Sequence, residues 1–96
     1  MRTFTVSFLT SRRHGALYIG VTSDLARRVW EHREGLVPGF TKKHGIHGLV
    51  YFETFETARP ALQRERNLKH WSRDWKIALI ERRNPDWRDV YPTLGP

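Results

Sequence analysis

Four side chains of this sequence could do chemistry together: the phenol of Tyr18, the guanidinium of Arg28, the imidazole of His32 and the carboxylate of Glu65. Arg28 and His32 stand four residues apart, hence on one face of a helix. Glu65 falls in the apolar stripe of a second helical stretch, where a carboxylate is costly unless something uses it. One carboxylate is enough to hold a Mg²⁺ ion when waters and a substrate phosphate complete the octahedron. The fixed fork of an arginine suits charge building on phosphoryl oxygens. The set therefore suits a metal-dependent phosphodiesterase. Each residue also has a plainer reading. Glu65 could pair with Arg64, Arg66 or Lys69, Arg28 could cover apolar surface with its stem, and His32 and Tyr18 could be packed rings. His44 and His47 have a spacing that zinc could use, but there is no cysteine and no further pair beside them.

The elements that must position these groups are legible. Phe4, Val6 and Phe8 alternate with Thr3, Thr5 and Ser7, which predicts a half-buried strand over Thr3 to Leu9. A polar turn, Ser11 to Gly15, leads to a second strand in which Leu17, Ile19 and Val21 share one face. Tyr18 then points to the other face, with Ser7. Thr22-Ser23-Asp24 caps a helix from about Leu25 to Glu34, closed by Gly35, with Leu25, Val29 and His32 inward. Leu36 to Gly48 holds Pro38 and three glycines and reads as a long irregular loop. Leu49 to Phe52, with Phe55, makes a third strand. Thr57 caps the next helix, whose stripe is Ala58, Ala61, Leu62, Glu65 and Leu68, ending at Trp71. Ser72 caps a third helix to about Arg82, stopped by Asn84-Pro85. Trp87, Val90 and Tyr91 in the tail are expected to pack back onto the core.

This predicts one α+β domain over 1–96, a small three-stranded antiparallel sheet flanked by about three helices. The absence of cysteine excludes disulfides and thiolate chemistry and fits a cytoplasmic setting. No signal peptide is read at Met1-Arg2-Thr3-Phe4, and no apolar run approaches a membrane span. Seventeen Lys and Arg against ten Asp and Glu leave a formal charge of +7, which favours a polyanionic partner. The basic residues recur along the chain rather than in a tail. Arg27, Lys42, Lys43, Lys69 and Arg73 are the expected nucleic-acid contacts.

Taken in order, the stretches 17–25 (LYIGVTSDL), 27–32 (RRVWEH), 36–43 (LVPGFTKK) and 71–73 (WSR) resemble the GIY-YIG endonuclease superfamily. The likeness is to its small single-domain bacterial branch, related to the N-terminal nuclease domain of UvrC, and runs from about Phe4 to Tyr91. The resemblance implies Tyr18 as the tyrosine of the second motif, Arg28 as the catalytic arginine, Glu65 as the ligand of Mg²⁺ or Mn²⁺, and His32 near the site. It implies in-line hydrolysis of phosphodiester bonds in DNA, with RNA as a further partner. One position departs: the first motif, Gly-Ile-Tyr, falls at Thr5-Val6-Ser7, so Ser7 stands where the family has a phenol. A nucleic-acid-binding module that kept the fold and lost cleavage is therefore the rival expectation.

Overall fold

A computed structural model describes residues 3–94, the side chains of Phe40 and Thr41 apart. Met1 and Arg2, on which the expected absence of a signal peptide partly rests, and Gly95 and Pro96 lie outside the described residues. Three strands, β1 (Phe4–Thr10), β2 (Leu17–Thr22) and β3 (Gly48–Phe55), form an antiparallel sheet in the order β2-β1-β3. Between them and after them come α1 (Leu25–Arg33), α2 (Phe40–Lys43), α3 (Ala58–His70) and α4 (Arg73–Arg83), then a 3₁₀ turn at Tyr91–Leu94. No helix among the described residues is long and apolar enough to cross a membrane.

β1 is not half-buried as its alternation predicts: Thr5 to Thr10 are all buried. The reason is that helices cover both faces of the central strand. Val6, Phe8 and Ile19 pack with Ala61 and Leu68 of α3, Ile80 of α4 and Trp87. Leu9 and Leu49 pack on the opposite face with Val29 of α1 and Ile46. The pairing of β1 with β3 shifts between Phe8 and Leu9, where Phe8 faces Tyr51 and Leu9 faces Leu49. Val50 is thus the extra residue of a bulge, which lets both Val50 and Tyr51 enter the α3–α4 core. A continuous apolar run can serve two faces only through such a break in the period.

The helix ends follow local rules. The Asp24 carboxylate accepts from Arg27 N at 3.2 Å and starts α1. Gly35, at φ +70°, ends it with Leu36 N donating to Glu31 O at 2.9 Å. Ser72 Oγ accepts from Trp75 N at 3.2 Å and starts α4. Thr57 occupies the corresponding position before α3, but its side chain makes no capping bond. Two further expectations need correction. The loop from Leu36 to Gly48 contains the single helical turn α2, and Leu62, placed on the inner stripe of α3, is 46% exposed. At 3.6 residues per turn the inward line runs through Ala61 and Leu68, and Leu62 falls to one side of it.

Candidate active site

Tyr18, Gly20, Arg28, His32, Glu65 and Ser7 line one cleft of about 70 Å³. Ser7 pairs with Gly20 and Leu9 with Tyr18 across β1 and β2, so Ser7 and Tyr18 share the face that α1 covers. Arg28 and His32 project from that helix one turn apart. Glu65 comes from α3, whose Ala61 and Leu68 pack on the other face of the sheet. The cleft is also lined by Val21, whose neighbours Ile19 and Phe4 belong to the α3 side. It therefore wraps the free edge of β2, and only there can α3 contribute to a site built on the α1 face.

Gly20 is needed for this arrangement. A Cβ at Gly20 would stand 3.1 Å from Tyr18 Cε2 and 3.5 Å from its hydroxyl. The phenol lies back along its own strand over the glycine, which gives a physical reason for a Tyr-x-Gly spacing. The Tyr18 ring in turn meets the His32 ring with centroids 5.1 Å apart.

His32 is only 4% exposed, and neither ring nitrogen has a hydrogen-bond partner among the described residues. Burial lowers its pKa from the ordinary imidazole value, the nearby Arg28 lowers it further, and Glu31 opposes them weakly. The ring is therefore neutral at pH 7, with a lone pair ready to take a proton. A buried unsatisfied imidazole costs stability, and such groups mark places where function sets the residue. The linkage has a definite sign. Above about pH 6.5 neither folded nor unfolded His32 is charged, so its contribution is constant. As pH falls below that value the unfolded chain takes up the proton first, and stability drops until the lower, folded pKa is passed. Between pH 7 and 5 the wild type should lose more stability than His32→Gln, by at most about 1.4 kcal/mol per pH unit. Parallel urea-midpoint curves for the two proteins would contradict this.

Arg28 reaches Glu31 at 3.4 Å but remains 41% exposed along its side chain, so part of its fork is open to a ligand. Glu65 pairs with Lys69 at 3.5 Å. Arg64, a rival partner for Glu65 by sequence, is turned to the other side of α3, where Nε and Nη2 donate to Glu53 at 2.8 and 3.0 Å. Burial would raise the Glu53 carboxyl, but bonds from Arg64 and Tyr51 outweigh it and hold the pKa below the ordinary value. Burial first, and then the bond to Glu53, push Tyr51 up to about 12.

The expected nucleic-acid contacts are not gathered at the cleft. Arg27 is an exposed residue of α1 beside Glu31, and Lys42 and Lys43 are exposed on α2. Lys69 flanks the site through Glu65. Arg73 Nη2 donates to the carbonyls of His14 and Gly15 at 2.6 and 2.9 Å, which ties the start of α4 to the β1–β2 turn. Among the described residues no three of His, Cys, Asp and Glu are grouped to hold a metal. Glu65 as the one carboxylate lining the cleft instead fits an ion that keeps most of its waters, as Mg²⁺ does.

The profile of the GIY-YIG catalytic domain matches residues 5–78 of the chain. The chain belongs to the GIY-YIG family. A UPF0213 protein of Haloquadratum walsbyi is 41% identical over 66 residues, 69% of this chain and 74% of that one. One of Staphylococcus saprophyticus is 36% identical over 73 residues, 76% of this chain and 89% of that one. The solution NMR structure of a UPF0213 protein from Bacillus halodurans superposes with a TM-score of 0.57 at 27% identity, covering 92% of this chain and 93% of that one. The GIY-YIG match spans every residue named for the cleft, and the likeness to the solution structure bears out the α+β fold with its three-stranded antiparallel sheet.

Ser7 is 4% exposed on the cleft wall, on the face the alternation gives it but more enclosed than a solvated polar face. Ser7→Tyr should project a phenol into the cleft at a cost of no more than about 1–3 kcal/mol in crowding. If the site is a weakened form of the GIY-YIG site, the variant should nick plasmid DNA faster than wild type. A folded variant with no gain in rate would show that the lost phenol does not limit catalysis.

Proposed function

We propose that the whole chain acts as one cytoplasmic nuclease module that hydrolyses phosphodiester bonds in DNA with Mg²⁺ or Mn²⁺ held by Glu65. The observation that carries this reading is the convergence of Tyr18, Arg28, His32 and Glu65 on one cleft from β2, α1 and α3. The metal would supply Lewis-acid polarisation of a phosphoryl oxygen and offset the charge that develops there. Arg28 donates to the non-bridging oxygens, where its open fork meets charge that grows towards the transition state. The Tyr18 phenol orients the attacking water in line with the leaving oxygen. His32, neutral and unpaired, accepts the water's proton at a ring nitrogen as the new P–O bond forms. The ester P–O bond on the far side breaks, the leaving oxygen takes a proton from solvent, and the His32 imidazolium returns its proton to solvent. RNA, attacked in the same way, is a second possible substrate.

Ser7 favours a second reading, in which the chain binds nucleic acid without cutting it. Incubation with supercoiled plasmid and with branched or single-stranded DNA, in Mg²⁺, Mn²⁺ and EDTA, separates the two. Metal-dependent nicking is the expected result. Binding without nicking under every metal condition would leave the module and remove the enzyme.

A further inference from the structure

α4 carries two apolar lines rather than one. Ile77, Ile80 and Asn84 face the sheet and tail, while Trp75, Ala78, Leu79 and Arg82, spaced at three, four and seven residues, lie along another line, of which Leu79 also packs against the core. This second line forms one wall of a groove of about 360 Å³, whose other wall is Trp71 and Arg64. Trp75 is 63% exposed, the most exposed large apolar side chain among the described residues. It meets Trp71 edge-on at 5.7 Å, and the Arg64 guanidinium lies 5.2 Å from the Trp71 ring centre, so the groove floor is a braced aromatic surface. No acidic residue lines the groove. Neither the Arg82 guanidinium nor the Trp75 indole N–H bonds to a described residue. Folding alone does not account for a tryptophan this exposed in a groove that Arg82 also lines.

We propose that this groove binds an unpaired base of single-stranded nucleic acid, stacked on Trp75, with a flanking phosphate on Arg82. An open indole face suits any base, because every base has a π surface, and an unpaired guanidinium suits the backbone beside it. In a duplex the base faces are covered by their neighbours, so only a splayed or single strand can use the surface. Arg64 is already paired with Glu53, so Arg82, with no acid lining the groove, and the chain's +7 charge favour this anionic ligand over an apolar protein surface. The site rests on the reading that the chain acts on nucleic acid, but not on its cutting it. Arg64 and Glu65 are neighbours on α3, one lining the groove and the other the cleft.

The test is fluorescence anisotropy in EDTA with a labelled oligothymidine and a hairpin duplex of equal length, using wild type, Trp75→Ala, Trp75→Phe and Arg82→Gln. Trp75→Ala should weaken single-strand binding about 5- to 150-fold and change duplex binding by no more than about twofold. Trp75→Phe should keep most of the affinity yet lose the quenching of indole fluorescence by the oligonucleotide. Arg82→Gln should reduce the salt dependence of single-strand binding by about one phosphate contact. Four results would overturn the proposal: no single-strand binding by wild type, unchanged binding by Trp75→Ala, equal loss for both ligands, or sedimentation showing that Trp75 instead joins two copies of the chain. Plasmid nicking is scored separately. Selective loss in Trp75→Ala without any nicking by wild type would keep this site and remove the nuclease, and nicking without selective loss would do the reverse.

Discussion

Glu65→Gln abolishes metal-dependent nicking of plasmid DNA, while DNA binding is intact or slightly tighter; this is the expected result of the first decisive experiment. The amide keeps the shape of the side chain and removes the anionic oxygen that a hard divalent ion requires. It also removes a negative charge from beside a phosphate site. The folded protein should hardly notice. The Lys69 pair at 3.5 Å has a half-exposed partner and contributes no more than about 1 kcal/mol. If Glu65 were instead a structural ion-pair partner, the variant would melt at lower temperature and cleave as before. Undiminished cleavage by purified Glu65→Gln protein removes Glu65 from the chemistry, whatever the fold.

Arg28→Ala should lower the nicking rate by at least about a hundredfold, comparable to losing one transition-state donor. Its effect on DNA affinity should be much smaller, because sixteen other Lys and Arg residues remain of the chain's seventeen. The melting temperature should barely move, since Arg28 is part-exposed and its ion pair with Glu31 is long at 3.4 Å. Rate and affinity measured on the same preparation separate the two roles. An arginine that only positions backbone phosphates would lose affinity and leave the rate at saturating DNA unchanged, which would rule out the proposed role.

Much of the candidate site is legible without coordinates because it is local. Alternation along β1 and β2 puts Ser7 and Tyr18 on one face, and a helical turn puts Arg28 beside His32. The caps at Asp24 and Ser72 and the stop at Gly35 depend on bonds spanning a few residues, so residue type and order determine them. What lies beyond a few residues is different. Glu65 reads as a carboxylate in an apolar stripe, but only the packing of α3 against the β2 edge brings it to a site built on the opposite face of the sheet. Nothing near Arg64 or Glu53 announces a partner eleven positions away. The same holds for the tail. Asn84 reads only as a helix stop, yet its side chain donates to Val50 O and Arg88 O at 3.0 and 2.9 Å, and Asp89 accepts from Leu49 N at 3.1 Å along the outer strand. Periodicity and capping are properties of a backbone that repeats every two or 3.6 residues, so the sequence by itself determines the long elements, the ends at Asp24, Gly35 and Ser72, and the faces of Tyr18, Arg28 and His32, but not the short turn α2 or the uncapped start of α3. Which faces meet depends on how whole elements share one core. The burial of β1 on both sides, the approach of Glu65 around the sheet edge and the exposed second line of α4 were therefore decided by the tertiary structure.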